Sequence, residues 1–377
     1  MRYKLIAPVK YDDTLTQVLV NRGLCYNNVK QYVNATLNDV SSPEAFGKDK
    51  MWKAVELLGK HIKNNSKTII IIDPDVDGNT SSALLLNYLY KIFPEWTEKV
   101  DFFFHKGKEH GLNDCYEYII KNGYNFVLCP DAGSNDTKEC KSFKDNNIDI
   151  LILDHHDFDT ENPYACIINN QEGYSNYPNK ALSGVGVTWQ FCRYFDSIMN
   201  TDYADDFIDL VAIGLTADMM DMRSAETAVL IHEGLKYLKN PFIYYMAQRN
   251  AFKLGDKVTP MGAAFYIIPL LNAVQRSGTQ EEKELVFKSM LSYQAFIEVN
   301  STKRGHTGEK EQLVEQAVRT ASNVKNRQTR VQDASLEKLE NKIENEHLLD
   351  HKVLLLLLDD DNIPAAVRCL IANKFMD

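Results

Sequence analysis

Four short stretches of this chain place acid or imidazole groups directly after apolar runs. The first ends Ile72-Asp73-Pro-Asp75-Val-Asp77-Gly78. Read as a continuation of the preceding strand, Asp73, Asp75 and Asp77 would share one side and repel one another. A cation among them is the simplest remedy. The second stretch is Leu128-Cys-Pro-Asp131-Ala-Gly-Ser134, the third Leu153-Asp154-His155-His156, and the fourth Ile213-Gly-Leu-Thr-Ala-Asp218.

Carboxylates with imidazoles suit Mn²⁺ or Mg²⁺, and two such ions about 3.5–4 Å apart clamp a phosphate ester for in-line attack. Phosphoester hydrolysis is the chemistry this set points to. Each piece has a plainer reading taken alone. A single aspartate after a strand commonly caps a helix or forms a turn, which applies to Asp131 and Asp218, and adjacent histidines are often incidental. A Ca²⁺ loop of the EF-hand kind would want flanking helices and a ligand near its twelfth position, whereas this segment follows a strand. The joint occurrence, in this order, favours the metal reading.

The surrounding pattern can bring these groups together. Apolar runs at 68–72, 126–128 and 148–153 read as strands, and helical periodicity covers 81–92, 113–121 and 185–195. This alternation predicts an α/β fold whose parallel sheet gathers its active groups at the C-terminal strand ends. Residues 13–63 are helical in pattern, and 280–350, free of proline and rich in Glu, Lys, Gln and Asn, read as long, mostly exposed helices. A fresh strand over 353–358 and a helix over 365–376 follow. The chain divides into a helical entry over 1–66, a catalytic domain over 67–280, connecting helices over 281–350, and the start of a second α/β domain over 351–377.

At 377 residues, 44% hydrophobic and 25% charged, the composition is that of a folded chain with more than one core. No apolar run approaches the ~20 residues of a membrane span, and no signal-peptide pattern opens the chain. Seven cysteines without C-x-x-C spacing indicate a reduced, cytoplasmic protein. The net charge of −10 argues against nucleic-acid binding by bulk electrostatics, though bound ions would supply positive charge where phosphate must sit.

The Asp154-His155-His156 triplet and its companion motifs resemble the DHH phosphoesterase superfamily, and within it the RecJ-type single-strand-specific exonucleases. Asp13 to Gly23 resembles the helical entry of RecJ proteins; Asp131-Ala-Gly-Ser134 and Ala217-Asp218 resemble later motifs, with Leu182-Ser-Gly-Val-Gly-Val187 between them. Pro269-Leu-Leu-Asn-Ala-Val-Gln-Arg276 resembles a further RecJ signature. The resemblance implies a 5′-to-3′ exonuclease that releases mononucleotides from single-stranded DNA with two Mn²⁺ ions, Mg²⁺ being the alternative. It implies that Asp75 and Asp131 hold one ion, with Asp73 completing that site because Ile71 stands where several members carry histidine. Asp77, Asp131, His155 and Asp218 would hold the other ion. His156 would contact the scissile phosphate, Asp154 would orient the imidazoles, and Ser134 and Arg276 would touch substrate.

Lys303 to Arg330, with seven Lys/Arg against three Glu, is a candidate backbone track, the alternative being a solvated helix face. Lys106, Lys108 and His110 are similarly ambiguous. Tyr164, Tyr174 and Tyr177 are candidates for base stacking, with core packing as the alternative. Ile363 to Lys374 resembles the beginning of the second RecJ domain, so a partner chain or further segment would supply the remainder. Two other readings stay open. One is a DHH enzyme acting on short oligonucleotides or cyclic dinucleotides; the other is a RecJ-like protein that binds nucleic acid as a replication partner without catalysis.

Overall fold

The computed structural model describes residues 8–105, 109–171, 173–306, 308–350, 353–354, 356 and 363–375. Five parallel strands form the central sheet in the order β2-β1-β3-β4-β5. They are β1 (Thr68–Ile72), β2 (Asp101–Phe104), β3 (Phe126–Pro130), β4 (Asp149–Asp154) and β5 (Cys166–Asn169). β1, β3 and most of β4 are buried on both faces, which explains why their sequences read as continuous apolar runs. Ile69, Ile71, Val127, Cys129, Ile150 and Ile152 enter one core. Their alternates Ile70, Ile72, Phe126, Leu128, Leu151 and Leu153 enter the larger one on the opposite face.

The chain order reverses between β1 and β3. In an open parallel sheet such a switch leaves a crevice at the C-terminal strand ends, because the following helices leave toward opposite faces. The helix after β1, Val76–Ile92, runs through the larger core and is buried over almost its whole length. It begins five residues before the expected start. Asp75 caps it by accepting from the Gly78 N–H at 2.9 Å, so the polar turn Asp75-Val-Asp77-Gly78 is helix rather than strand extension.

The expected helical entry is three separate helices, Thr14–Asn21, Val29–Asn34 and Lys48–Lys63, joined by 3₁₀ turns. Strands β2 and β5 are additions to the reading from sequence. The helix expected over 113–121 spans Tyr116–Lys121, and that over 185–195 spans Gly184–Met199.

Beyond the sheet, helices Gln280–Met290 and Leu313–Asn345 flank a short antiparallel hairpin, Glu298–Asn300 with Lys310–Gln312. The 33-residue helix is less exposed than its polar composition suggests. Val314, Ala317, Val318, Ala321 and Val324 form a stripe at helical spacing that joins the larger core. Farther along, Leu339 meets Ile363, Val367 and Ile371 in a small separate cluster, the last two from helix Ala365–Lys374. The strand expected over 353–358 falls largely outside the described residues, as do Lys106, Lys108 and Met376. No described helix is long and apolar enough to cross a membrane.

Candidate metal centre

The four stretches that carry acid or imidazole groups all end at the crevice. Asp73 directly follows β1, Asp131 follows β3, Asp154 closes β4, and Asp218 caps the C-terminus of helix Ile208–Ala217. Three groups of ligand atoms, each within 4.8 Å of one another, result: Asp73 with Asp75 and Asp131, Asp77 with His155 and Asp218, and Asp131 with His155 and His156. His155 Nε2 lies 3.3 Å from Asp131 Oδ1, 3.6 Å from Asp218 Oδ2 and 4.0 Å from Asp77 Oδ2. Asp131 therefore belongs both to the Asp73/Asp75 group and to the His155/His156 group.

The backbone is shaped to bring these atoms together. Asp131 has φ 71°, in the left-handed region that only a few non-glycine residues enter, while its N–H still donates to the Leu153 carbonyl at 2.8 Å. Asp77 is fixed by the start of helix Gly184–Met199. The Ser183 hydroxyl donates to its Oδ1 at 2.8 Å and the Gly184 N–H to its Oδ2 at 2.6 Å. Close approach explains the glycines. A Cβ on Gly184 would stand 2.2 Å from Asp131 Oδ1, and one on Gly214 would stand 2.4 Å from Asp77 Oδ1.

Asp154 does a different job. Its Oδ1 accepts the His155 and His156 backbone N–H groups and the His156 ring at Nδ1 (2.8 Å), while Oδ2 accepts the Ser134 N–H. Burial pushes this carboxyl up, but the hydrogen bonds from His156 and Ser134 outweigh it and hold it down to about 2. The same hydrogen bond, against the opposing effect of burial, raises His156 to about 9. His156 remains half-exposed with its ring orientation set. Ser134 is buried; its hydroxyl accepts from Asn169 at 3.0 Å, so what the geometry shows it doing is bracing Asp154.

Electrostatically the crevice is under-compensated. Burial, then the Asp75 charge, lifts Asp73 to about 8. Burial, then Asp77, raises Asp75 and lifts Asp218 to about 6, and the same pair of causes raises Asp131 far more. Among the described residues no Lys or Arg lies within ion-pair distance of these carboxylates. Asp73 Oδ1 and Asp131 Oδ1 are buried without hydrogen-bond partners. Hard oxygen donors, one or two imidazoles and two orphaned buried oxygens together fit divalent cations of the Mn²⁺ or Mg²⁺ type.

Several contributors are not assigned from sequence. Gln171 donates to the His155 carbonyl, Asn169 to the His156 carbonyl, and Gln275 to Asn79, whose own amide bridges the Asp73 and Asp75 carbonyls. For the role of Leu182-Ser-Gly-Val-Gly at Asp77, a serine and glycine opening a helix are the signal in the sequence. Arg276 ends helix Ile268–Ser277 on the rim beyond Asp218, lining one groove with Thr216, Ala217 and Met219. The three tyrosines do not offer open faces of equal kind. Tyr177 is fully buried against Phe46, Tyr174 packs edge-on with Phe158, and Tyr164 packs partly buried on the smaller core.

Three of the seven cations in the basic stretch are held in ion pairs. Arg319 and Lys303 pair with Glu311, and Arg327 pairs with Glu282.

Residues 67–215 match the model of the DHH family, N-terminal domain. The whole chain is 33% identical over 379 residues to an SPbeta prophage-derived protein of Bacillus subtilis named as a single-strand DNA-specific exonuclease, YorK, and covers 64% of it. It is 27% identical over 271 residues to the single-stranded-DNA-specific exonuclease RecJ of Bacillus subtilis, a match spanning 70% of this chain and 33% of that one. The fold resembles RecJ from Thermus thermophilus solved with Mn²⁺, with TM-score 0.61 and 18% identity over 77% of this chain and 39% of that one. The chain thus spans under two thirds of the length of these relatives.

Proposed function

With residues 67–215 a DHH-family N-terminal domain, we propose that this chain is the catalytic part of a metal-dependent phosphodiesterase that removes nucleotides from the 5′ end of single-stranded DNA. The observation that carries this reading is Asp131. It is buried, has an unpartnered oxygen, and stands in both the Asp73/Asp75 group and the His155/His156 group. A carboxylate that stands in both groups would let the two groups hold neighbouring ions.

One ion would take Asp73, Asp75 and Asp131; the other would take Asp77, Asp131, His155 and Asp218. Bound Mn²⁺ or Mg²⁺ would neutralise phosphate and bring the pKa of water near the physiological range. The chain's own groups do the rest. Ser183 and Gly184 hold Asp77, Asp154 holds the His156 ring and the His155 backbone in register, and the half-exposed His156 presents a ring N–H to the scissile phosphate or its leaving oxygen. Arg276 stands on the rim as a phosphate contact. Strandedness rests on the similarity to YorK and RecJ, both named as specific for single-stranded DNA, and polarity rests on the motif resemblance alone.

The test is incubation with Mn²⁺ and single strands labelled at either end. Mononucleotides released first from the 5′ end, with turnover abolished by chelator, are expected. Full activity in chelator, or release from the 3′ end first, would overturn the respective part of the proposal.

A further inference from the structure

The turn that carries Asp73 and Asp75 leaves the sheet before either carboxylate. The last residues of β1 in register with its neighbours are Ile72, opposite Phe104, and Ile70, opposite Leu128, so Asp73 stands beyond both ladders. A side chain holds its backbone carbonyl instead. Asn79 Nδ2 donates to the Asp73 carbonyl at 3.2 Å and to the Asp75 carbonyl at 2.6 Å. One amide nitrogen thus ties together the backbone of two residues whose carboxylates stand with Asp131 in one ligand group.

The orientation of that amide is not free. Backbone carbonyls only accept, so the Asn79 nitrogen must face them and its Oδ1 must point away. Gln275 meets that oxygen, donating from Nε2 at 3.1 Å across 196 positions of the chain. Both side chains are buried. An apolar side chain at 275 would leave Oδ1 without a donor, and rotating the Asn79 amide to escape would set its oxygen against two carbonyls.

The turn has little slack to absorb such a change. A Cβ on Gly78 would stand 2.4 Å from the Asp73 Cβ and 2.8 Å from the Asp73 carbonyl oxygen, so strand end and first helical turn are already in contact. Among the described residues the Gln275 side chain has no other hydrogen-bond partner. Its polar end, buried in a helix whose Leu271 and Val274 join the larger core, serves Asn79 alone.

Resting on the metal-dependent reading above, we infer that Gln275 and Asn79 are a positioning pair for the cation of the Asp73, Asp75 and Asp131 group. Gln275 fixes the Asn79 amide, and the amide fixes the two carbonyls and with them the carboxylates of the same residues. Neither belongs to the ligand groups. Helix Ile268–Ser277 supplies no ligand, yet through this pair it is part of the frame that sets cation affinity.

The test is calorimetric titration of the whole chain with Mn²⁺, comparing wild type, Gln275→Met, Asn79→Ala and the double variant, each first shown to melt cooperatively in chelator. Methionine keeps the reach of glutamine without its donor. Gln275→Met is expected to bind Mn²⁺ about tenfold more weakly, the lower end of what groups behind metal ligands contribute. Asn79→Ala should lose at least as much. The double variant should be no weaker than Asn79→Ala alone, because Gln275 acts only through Asn79. A merely structural pair would lower the melting temperature and leave the affinity of the folded protein unchanged. Gln275→Met within about twofold of wild-type affinity overturns the inference, as do losses that simply add in the double variant. If Asn79→Ala does not fold, Gln275→Met and Gln275→Leu decide the matter by the same affinity criterion. Wild type that takes up no Mn²⁺ removes the metal reading and this inference together, whereas unchanged variants removes the inference alone.

Discussion

Asp131 and His155, from the ends of β3 and β4, meet with Oδ1 3.3 Å from Nε2 while Asp131 holds a left-handed backbone conformation. Neither residue is placed there by local preference. The neighbouring strand ends and the helix of Gly184 hold a buried, charged side chain against desolvation and like charge, and that tension makes the pair a sensitive probe of the site.

Replacing Asp131 by Asn keeps a side chain that tolerates positive φ and removes the charge. The expected result is a loss of several orders of magnitude in turnover with Mn²⁺, together with a higher melting temperature in chelator, where repulsion from Asp73, Asp75 and Asp77 is relieved. Retention of more than about a tenth of wild-type rate, a change of under ~1.4 kcal/mol in the barrier, would show that the carboxylate is not central.

Gly184→Ala is the least conspicuous substitution with a large expected effect. Its Cβ would meet Asp131 Oδ1 at 2.2 Å, and Gly214→Ala would press on Asp77 Oδ1 at 2.4 Å. Each should weaken Mn²⁺ binding by calorimetry and lower kcat at least tenfold, a cost of ~1.4 kcal/mol. Gly59→Ala serves as the control. It lies within helix Lys48–Lys63 with nothing within 4 Å of a new Cβ, and should stabilise by about 0.5–1 kcal/mol.

Without divalent ions, stability should fall as pH rises. Asp73 and Asp218 are lifted to about 8 and about 6 in the fold, from an ordinary 3.8. A raised folded pKa means the native state binds protons more tightly than the unfolded chain. Its contribution is therefore complete below pH about 4 and is lost through pH 6 to 8. Melting in chelator at pH 5 and pH 8 should show the decline, and Mn²⁺ should raise the melting temperature more at pH 8. A chelated protein equally stable at both values would show that these carboxyls are not strained.

The sequence made the chemistry more legible than the scaffold. Alternating apolar runs marked β1, β3 and β4 because those strands are buried on both faces. β2, with Asp101 exposed and Phe102 and Phe103 half-covered, and the four-residue β5 gave no such run. The aspartates at 73, 75 and 77 announced a cation, yet the expectation that they line one side of an extended segment was incorrect. Asp75 caps a helix, so the three straddle a strand–helix junction and reach different partners. Long-range contacts such as Gly184 against Asp131, or Gln275 with Asn79, join positions far apart in the chain, and no local pattern encodes them. The apolar stripe from Val314 to Val324 was legible in principle, but was masked by the charged residues on the helix's outer face.

The basic segment 303–330 separates two kinds of arginine, and mutation should tell them apart. Arg319 forks onto both oxygens of the buried Glu311 at 2.7 and 2.6 Å and keeps that carboxyl well below its usual range. Removing it leaves Glu311 short of partners, so Arg319→Ala should cost about 1–3 kcal/mol of stability. It should leave oligonucleotide affinity and its salt dependence unchanged. Arg276, exposed and without an ion pair among the described residues, has the opposite profile. Arg276→Ala should leave the melting temperature within about 0.5 kcal/mol of wild type in free-energy terms. Its affinity for single strands should fall, and the slope of log K against log salt should shrink by about one phosphate contact. If Arg319→Ala lowers the salt slope and Arg276→Ala does not, the strand runs along the long helix and not through the groove beside Asp218.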